Sequence, residues 1–209
     1  QPPPVVTIAE PPPAPAPVVP PMYYAMPNER FPIPEVDISQ LPPQFWRTEV
    51  DYPTNEKPGT LVVDTPAKYL YHVKAGGRAT RYGIGVGREG FAWAGEAIMA
   101  YRREWPRWTP PDSMVARQPG LEPYSIANGG MDPGLKNPLG ARALYIHENG
   151  KDTLYRIHGT PEAFSIGKAV SSGCIRLINQ DVIHLHDEAR DGSRIVVIPD
   201  PAMSHLLVG

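Results

Sequence analysis

The one cysteine of this chain, Cys174, follows a histidine, His158, by sixteen residues, and both stand among residue types that acyl transfer needs. The two local sequences are Ile157-His-Gly-Thr160 and Ser171-Ser-Gly-Cys-Ile-Arg-Leu177. A thiol is a strong nucleophile only as thiolate, and an imidazole within hydrogen-bond reach can take its proton and later pass it to a leaving amine. No carboxylate adjoins His158, so a backbone carbonyl, that of Gly159, is expected to orient the ring. Gly173 has no Cβ, so the chain can turn sharply there and bring backbone N–H groups to a developing oxyanion. Arg176 is expected on the same side of an extended strand as Cys174, either binding a substrate carboxylate or held in a structural ion pair. A lone cysteine excludes an internal disulfide and any multi-cysteine metal centre.

Short runs rich in Val, Ile, Tyr and Leu must position these residues. From Gly59 onward such runs are separated by Gly, Asn and Asp clusters, the pattern of a β-rich domain. Strands are predicted at 60–64, 69–74, 79–86, 98–103, 143–147, 154–158, 174–178 and 194–198. Tyr82, Ile84 and Val86 alternate with Arg81, Gly83 and Gly85, the period of a half-buried strand. Residues 143–147 and 153–158 flank Asn149-Gly150, a pair that tolerates positive φ, so a hairpin is expected that brings His158 to a strand end. One helix is predicted at 179–190, with Asn179 as its N-cap. Residues 105–138 are rich in Pro and Gly and lack periodicity, so extended loops over the sheet are expected.

The amino-terminal region reads differently. Pro2–Pro4, Pro11–Pro13, Pro15, Pro17, Pro20 and Pro21 favour polyproline II, and residues 1–34 are read as a spacer. Residues 35–58 remain Pro-rich but contain Phe45, Trp46 and Tyr52, and are expected to dock on the body as an extended segment. Residues 59–200 form the catalytic domain in this reading, and 201–209 a tail. The chain opens at Gln1 without an initiator Met, as after removal of an export signal or trimming of the terminus. Among 209 residues, 41% are hydrophobic and 20% charged, the net charge is −2, and no Lys/Arg block offers a grip on phosphates, so nucleic acid is not an expected partner. No run reaches the roughly 18 apolar residues of a membrane span.

The paired motifs resemble the catalytic signature of the L,D-transpeptidase (YkuD) family, a His-Gly-Thr followed by Ser-His-Gly-Cys-Ile-Arg or a close variant. The resemblance also takes in Gly59-Thr-Leu-Val-Val-Asp64 with Tyr69-Leu-Tyr71, Arg81-Tyr-Gly-Ile-Gly-Val-Gly87, Trp105-Pro-Arg-Trp-Thr-Pro110 and Asn137-Pro-Leu-Gly-Ala-Arg-Ala-Leu144. It covers about residues 35–200, and departs at Ser172, where the family often has His. The implied fold is mainly β, a β-sandwich-like domain with one or two short helices behind a Pro-rich extended segment. By the same resemblance Cys174 is the nucleophile, His158 the base and acid, Gly159 the carbonyl that holds the imidazole, and the amides of Gly173 and Cys174 the oxyanion hole. Ser171, Ser172, Arg176 and Phe164 are expected to meet substrate, Phe164 equally readable as packing.

The implied reaction transfers an acyl group from the third residue of a peptidoglycan stem peptide through a cysteinyl thioester. The acceptor is an amine of a second stem peptide or of an envelope protein, or water in a carboxypeptidase. Carbapenems acylating Cys174, a periplasmic location, a part in cell-wall biogenesis and cell shape, and no metal or organic cofactor are further implications. Three other readings compete for these residues. His184-Leu-His186 suggests a zinc peptidase, but residues two apart on a helix diverge by about 200°, with His184 expected exposed and His186 packed. A non-catalytic wall-binding module would not need both motifs. A papain-like hydrolase would carry its Cys upstream of its His.

Overall fold

The computed structural model describes residues 8–87, 95–171 and 174–199. Its elements in chain order are β1 (Thr48–Asp51), β2 (Leu61–Asp64), β3 (Tyr69–Lys74), β4 (Arg78–Gly83), β5 (Val86–Gly87), β6 (Gly95–Glu104), α1 (Asp112–Arg117), β7 (Arg142–Glu148), β8 (Lys151–Thr160), β9 (Ala169–Ser171), β10 (Ile175–Ile178), α2 (Asn179–Glu188) and β11 (Arg194–Ile198). The architecture is mainly β, as the alternating runs require. Nine strands form one mixed sheet in the order β1-β4-β3-β2-β11-β6-β7-β8-β10, and β5 pairs with β9 in a two-stranded ribbon. Two pairs in the large sheet are parallel, β2 with β11 and β8 with β10. The chain just past β4 returns to β10, where Gly85 N donates to Arg176 O (2.9 Å) and Arg176 N to Gly85 O (3.0 Å). This bridge folds the sheet back on itself, and Gly85 permits it: a Cβ there would lie 2.6 Å from Ser165 O.

The enclosed face is filled by Leu61, Leu70, Tyr82, Met99, Leu144, Ile157 and Ile175, all fully buried. Helix α2 adds Val182 and Leu185 to that core, one turn apart on one face. Its carboxyl end is fastened by Arg102, whose Nη1 donates to the carbonyls of His186 and Ala189, each at 2.6 Å. The β7–β8 hairpin turns at Asn149 (φ 51°) and Gly150 (φ 75°), the two positive φ values of a primed turn.

Several expectations need correction. The spacer does not run to residue 34. Residues 8–18 are exposed, but Tyr23 and Ile33 are buried, Tyr23 with Val36, Ile38 and Leu41 against Ala163, Ile166 and Ile178, and Ile33 against Trp105, Ala141 and Ile183. Proline removes ladder donors without preventing side-chain burial, so apolar residues set between prolines can still strap the body. Polar contacts fasten this strap: Gln180 Nε2 donates to Tyr24 O and Pro34 O, and Glu29 pairs with Arg142 at 2.8 Å. Within the extended segment expected at 35–58, residues 48–51 form an edge strand on β4. The 105–138 segment contains α1 and short 3-10 turns at Pro119–Tyr124 and Ile126–Asn128. Asn179 is the first residue of α2 and not its cap, and the helix ends at Glu188. The 201–209 tail lies outside the described residues.

Candidate active site

Strands β8 and β10 run in parallel register, with Ile157 opposite Ile175 and His158 opposite Arg176. Ile157, Ile175 and Leu177 enter the core, so strand alternation turns His158 and Arg176 to the other face. His158 is buried all the same, at 5% exposure. Its Nδ1 lies 2.8 Å from Gly159 O. A carbonyl only accepts, so Nδ1 carries the proton and Nε2 keeps its lone pair.

Gly159 is itself fixed. Its N–H donates to Leu139 O (3.0 Å), and a Cβ there would collide with Asn179 Oδ1 and come within 2.8 Å of Val182 Cγ1. Any side chain would therefore push α2 off the strand. Asn179 Oδ1 accepts from Ala141 N at 3.0 Å, and the side chain of Asn137 ties its own loop to the carbonyls of Pro106, Met131 and Asp132. The imidazole is thus oriented by a carbonyl that the helix and the 137–141 loop hold in place. Sequence reasoning missed Asn137 and Asn179 in this role, although Asn137-Pro-Leu-Gly140 was visible as a motif.

Cys174 sits half-buried in the bend directly before β10, not within the strand as expected. It precedes Ile175, the partner of Ile157, so it comes level with Arg156. Burial pushes the thiol up, opposed by a hydrogen bond from the backbone of Arg156 and by the charges of Arg156 and Arg176. Burial pushes His158 down to about 4; the Gly159 carbonyl opposes this and the Arg176 charge adds to it. Near neutral pH the pair is therefore a thiol and a neutral imidazole, suited to proton transfer on attack and not to a standing ion pair.

The other expected site residues fall as follows. Arg176 Nη1 donates to Glu162 Oε2 at 2.8 Å, the ion-pair alternative. Phe164 lies in the 3-10 turn Ala163–Ser165 and is 46% exposed. Ser171 ends β9, paired with Gly87. Ser172 and Gly173, and with them the glycine amide expected to serve an oxyanion hole, lie outside the described residues. Among the described residues no group of three or more His, Cys, Asp or Glu could hold a metal ion. His184, expected to be exposed, is half-buried with Nδ1 2.7 Å from Tyr82 Oη, and His186 Nδ1 lies 3.1 Å from Asp187 Oδ1.

A thiol and, on the neighbouring strand, a neutral imidazole anchored by a carbonyl are groups that can carry cysteine acyl transfer. Residues 58–198 match the YkuD model, described as the L,D-transpeptidase catalytic domain. This chain belongs to that family. A Salmonella typhimurium protein named probable L,D-transpeptidase ErfK/SrfK is 34% identical over 145 residues, 68% of this chain and 44% of that protein. A Fuscovulum blasticum protein named putative L,D-transpeptidase is 32% identical over 164 residues, 78% of this chain and 79% of that protein. The chain thus spans under half the length of several relatives that it matches, at 44% to 46%. A Brucella melitensis crystal structure shares 41% identity with a TM-score of 0.52, over 78% of this chain and 99% of that one. That protein is named a probable carnitine operon oxidoreductase, a different activity from the family that this sequence matches.

Proposed function

We propose that this protein is an L,D-transpeptidase that forms or remodels peptidoglycan attachments through a thioester on Cys174. The observation that carries this reading is the His158 Nδ1–Gly159 O hydrogen bond, which leaves Nε2 as a base on the strand neighbouring the cysteine. In the first step Nε2 takes the thiol proton as Sγ attacks the carbonyl of the third stem residue. The tetrahedral intermediate collapses, the C–N bond to the terminal D-alanine breaks, and the imidazolium returns the proton to the departing amine. In the second step an amine of another stem peptide, or of an envelope protein, attacks the thioester. His158 accepts that amine's proton and passes it to the departing sulfur. Water in the same position gives a carboxypeptidase with the same residues.

Gly173 and the amide of Cys174 are assigned to the oxyanion, and Ser171, Ser172, Arg176 and Phe164 to substrate contact. The residues before Val19 are assigned as a tether in the periplasm. Among the described residues no helix is long and apolar enough to cross a membrane.

Intact-mass measurement after incubation with a carbapenem tests the reading. One adduct is expected on the native chain and none on Cys174→Ala. Absence of an adduct on folded native protein would overturn it and favour a wall-binding module. Incubating a tetrapeptide donor with and without a diaminoacid acceptor then separates transpeptidation from hydrolysis.

A further inference from the structure

On the face of the sheet away from the core, three strands place side chains in one row: Tyr101 of β6 opposite Tyr145 of β7, and Tyr145 opposite Arg156 of β8. The tyrosine rings stack with centroids 4.4 Å apart and planes 16° from parallel. The Arg156 guanidinium lies over the Tyr145 ring, 4.5 Å from its centroid. The next position along the row, on β10's side, is level with Cys174.

Arg156 is held more firmly than stacking alone would hold it. Its two terminal nitrogens donate to the two oxygens of Asp152 at 2.6 and 2.8 Å, and Nη1 also reaches Tyr155 O at 3.1 Å. In a regular strand, residues four apart lie about 13 Å from each other and cannot pair in this way. Here Tyr145 and His147, two apart on β7, face Arg156 and Asp152, four apart on β8, so β8 carries two extra residues. The excess is taken up at Leu154, a non-glycine residue with φ 65° whose side chain is 60% exposed. The bulge is pinned by Leu154 N donating to Asp152 Oδ1 (2.8 Å) and Thr153 Oγ1 donating to Ile146 O (2.7 Å). A bulge whose strained residue lies four positions before the candidate base brings a carboxylate onto a particular arginine.

We propose that Arg156, clamped by Asp152 across this bulge and stacked on Tyr145, is the fixed cation that stabilises negative charge on the Cys174 sulfur during thioester formation and breakdown. The inference rests on Cys174 being the nucleophile. Among the described residues, Arg156 and Tyr155 from β8 and Arg176 from β10 interact electrostatically with the thiol, and His158 lies two residues after Arg156 on β8. His158 is neutral near pH 7 and cannot be the standing cation. Arg176 is tied to Glu162, whose side chain is 52% exposed, whereas the guanidinium of Arg156 is fixed from three directions. With both terminal nitrogens committed to Asp152, Arg156 is not built to bind a substrate carboxylate; it acts by charge at a set position. Asp152 and Tyr145 are its positioning residues.

The single thiol of the chain makes the test direct. The rate of Cys174 alkylation by iodoacetamide is measured against pH on the native chain and on Arg156→Met, Arg156→Lys and Tyr145→Leu. Loss of the charge in Arg156→Met is expected to raise the apparent thiol pKa by about one unit and slow alkylation at pH 7 about tenfold. Arg156→Lys, which keeps the charge, should recover most of that loss, and Tyr145→Leu should show a smaller slowing of about threefold. Superimposable profiles for Arg156→Met and the native chain would overturn the proposal. So would equal slowing in the Met and Lys variants, which marks a packing role. Should Arg156→Met fail to fold, Tyr145→Leu decides alone, an unchanged profile overturning the proposal. Cross-linking that persists in Cys174→Ala would instead overturn the underlying function, whatever the alkylation profiles show.

Discussion

His158 on β8 and Asp181 on α2 are both withdrawn from water, at 5% and 1% exposure, and their surroundings answer the same problem in different ways. Asp181 is surrounded by partners: Tyr23 Oη donates to it at 2.9 Å, Arg47 Nη1 at 3.2 Å, and Arg47 N donates back to Tyr23 Oη at 2.8 Å. His158 has one nitrogen held by a carbonyl, and the other is the one assigned above to proton transfer. Desolvation penalises the charged form of each, which pushes the carboxyl up to about 7 and the imidazole down to about 4. The network around Asp181 joins the amino-terminal strap to the helix behind the site. A group spent on fastening has its bonding capacity filled, whereas a group kept for proton transfer is oriented on one side only.

Substitution should separate these two tasks most sharply at His158. His158→Gln is expected to slow carbapenem acylation about a thousandfold, within the usual range for losing a general base, with thermal unfolding little changed. Stopped-flow acylation kinetics on a folded variant check this, and a loss below tenfold would remove His158 from the reaction. Asp181→Ala should do the converse. Arg47, 15% exposed, loses its partner, and a cost of about 3–5 kcal/mol is expected in urea unfolding, with acylation largely retained in the protein that remains folded.

The pH dependence of stability gives the next largest effect, and the two groups oppose each other. The folded-state pKa of His158 is depressed below its usual 6.5, so its contribution is present above pH 6.5 and is lost as pH falls through about 4, by roughly 3 kcal/mol in all. For Asp181 it is raised from 3.8, so its contribution is fully present below pH 3.8 and is lost as pH rises through about 7. Urea unfolding of Asp181→Asn should show stability rising from pH 4 to 7 more steeply than in the native chain, and His158→Gln should show it rising less or falling. Identical slopes in both variants would end the comparison. The smallest effect belongs to Glu162→Gln, which breaks an ion pair with Arg176 at a half-exposed carboxylate. A change below about 1 kcal/mol is expected, and a larger one by thermal melting would show that this pair carries more of the crossover between β8 and β10.

The sequence by itself determined the strand pattern of the body, the β7–β8 hairpin and the two motifs, because alternation, turn residues and a Cys–His pair are local signals written in consecutive residues. It also pointed to Gly159 as a carbonyl anchor, since His158 had no acidic neighbour. Only the tertiary structure decided the rest. Tyr23 and Ile33 sit among prolines, and their burial depends on surfaces supplied by residues more than 70 positions later. Gly159 needs to be glycine because α2 presses Asn179 against it, a contact with no trace in the spacing. Arg156 read as an ordinary strand residue until the bulge at Leu154 brought Asp152 back to it and the register set it level with Cys174. Local patterning selects which face a side chain takes; what it meets there depends on chain closure across the whole sheet.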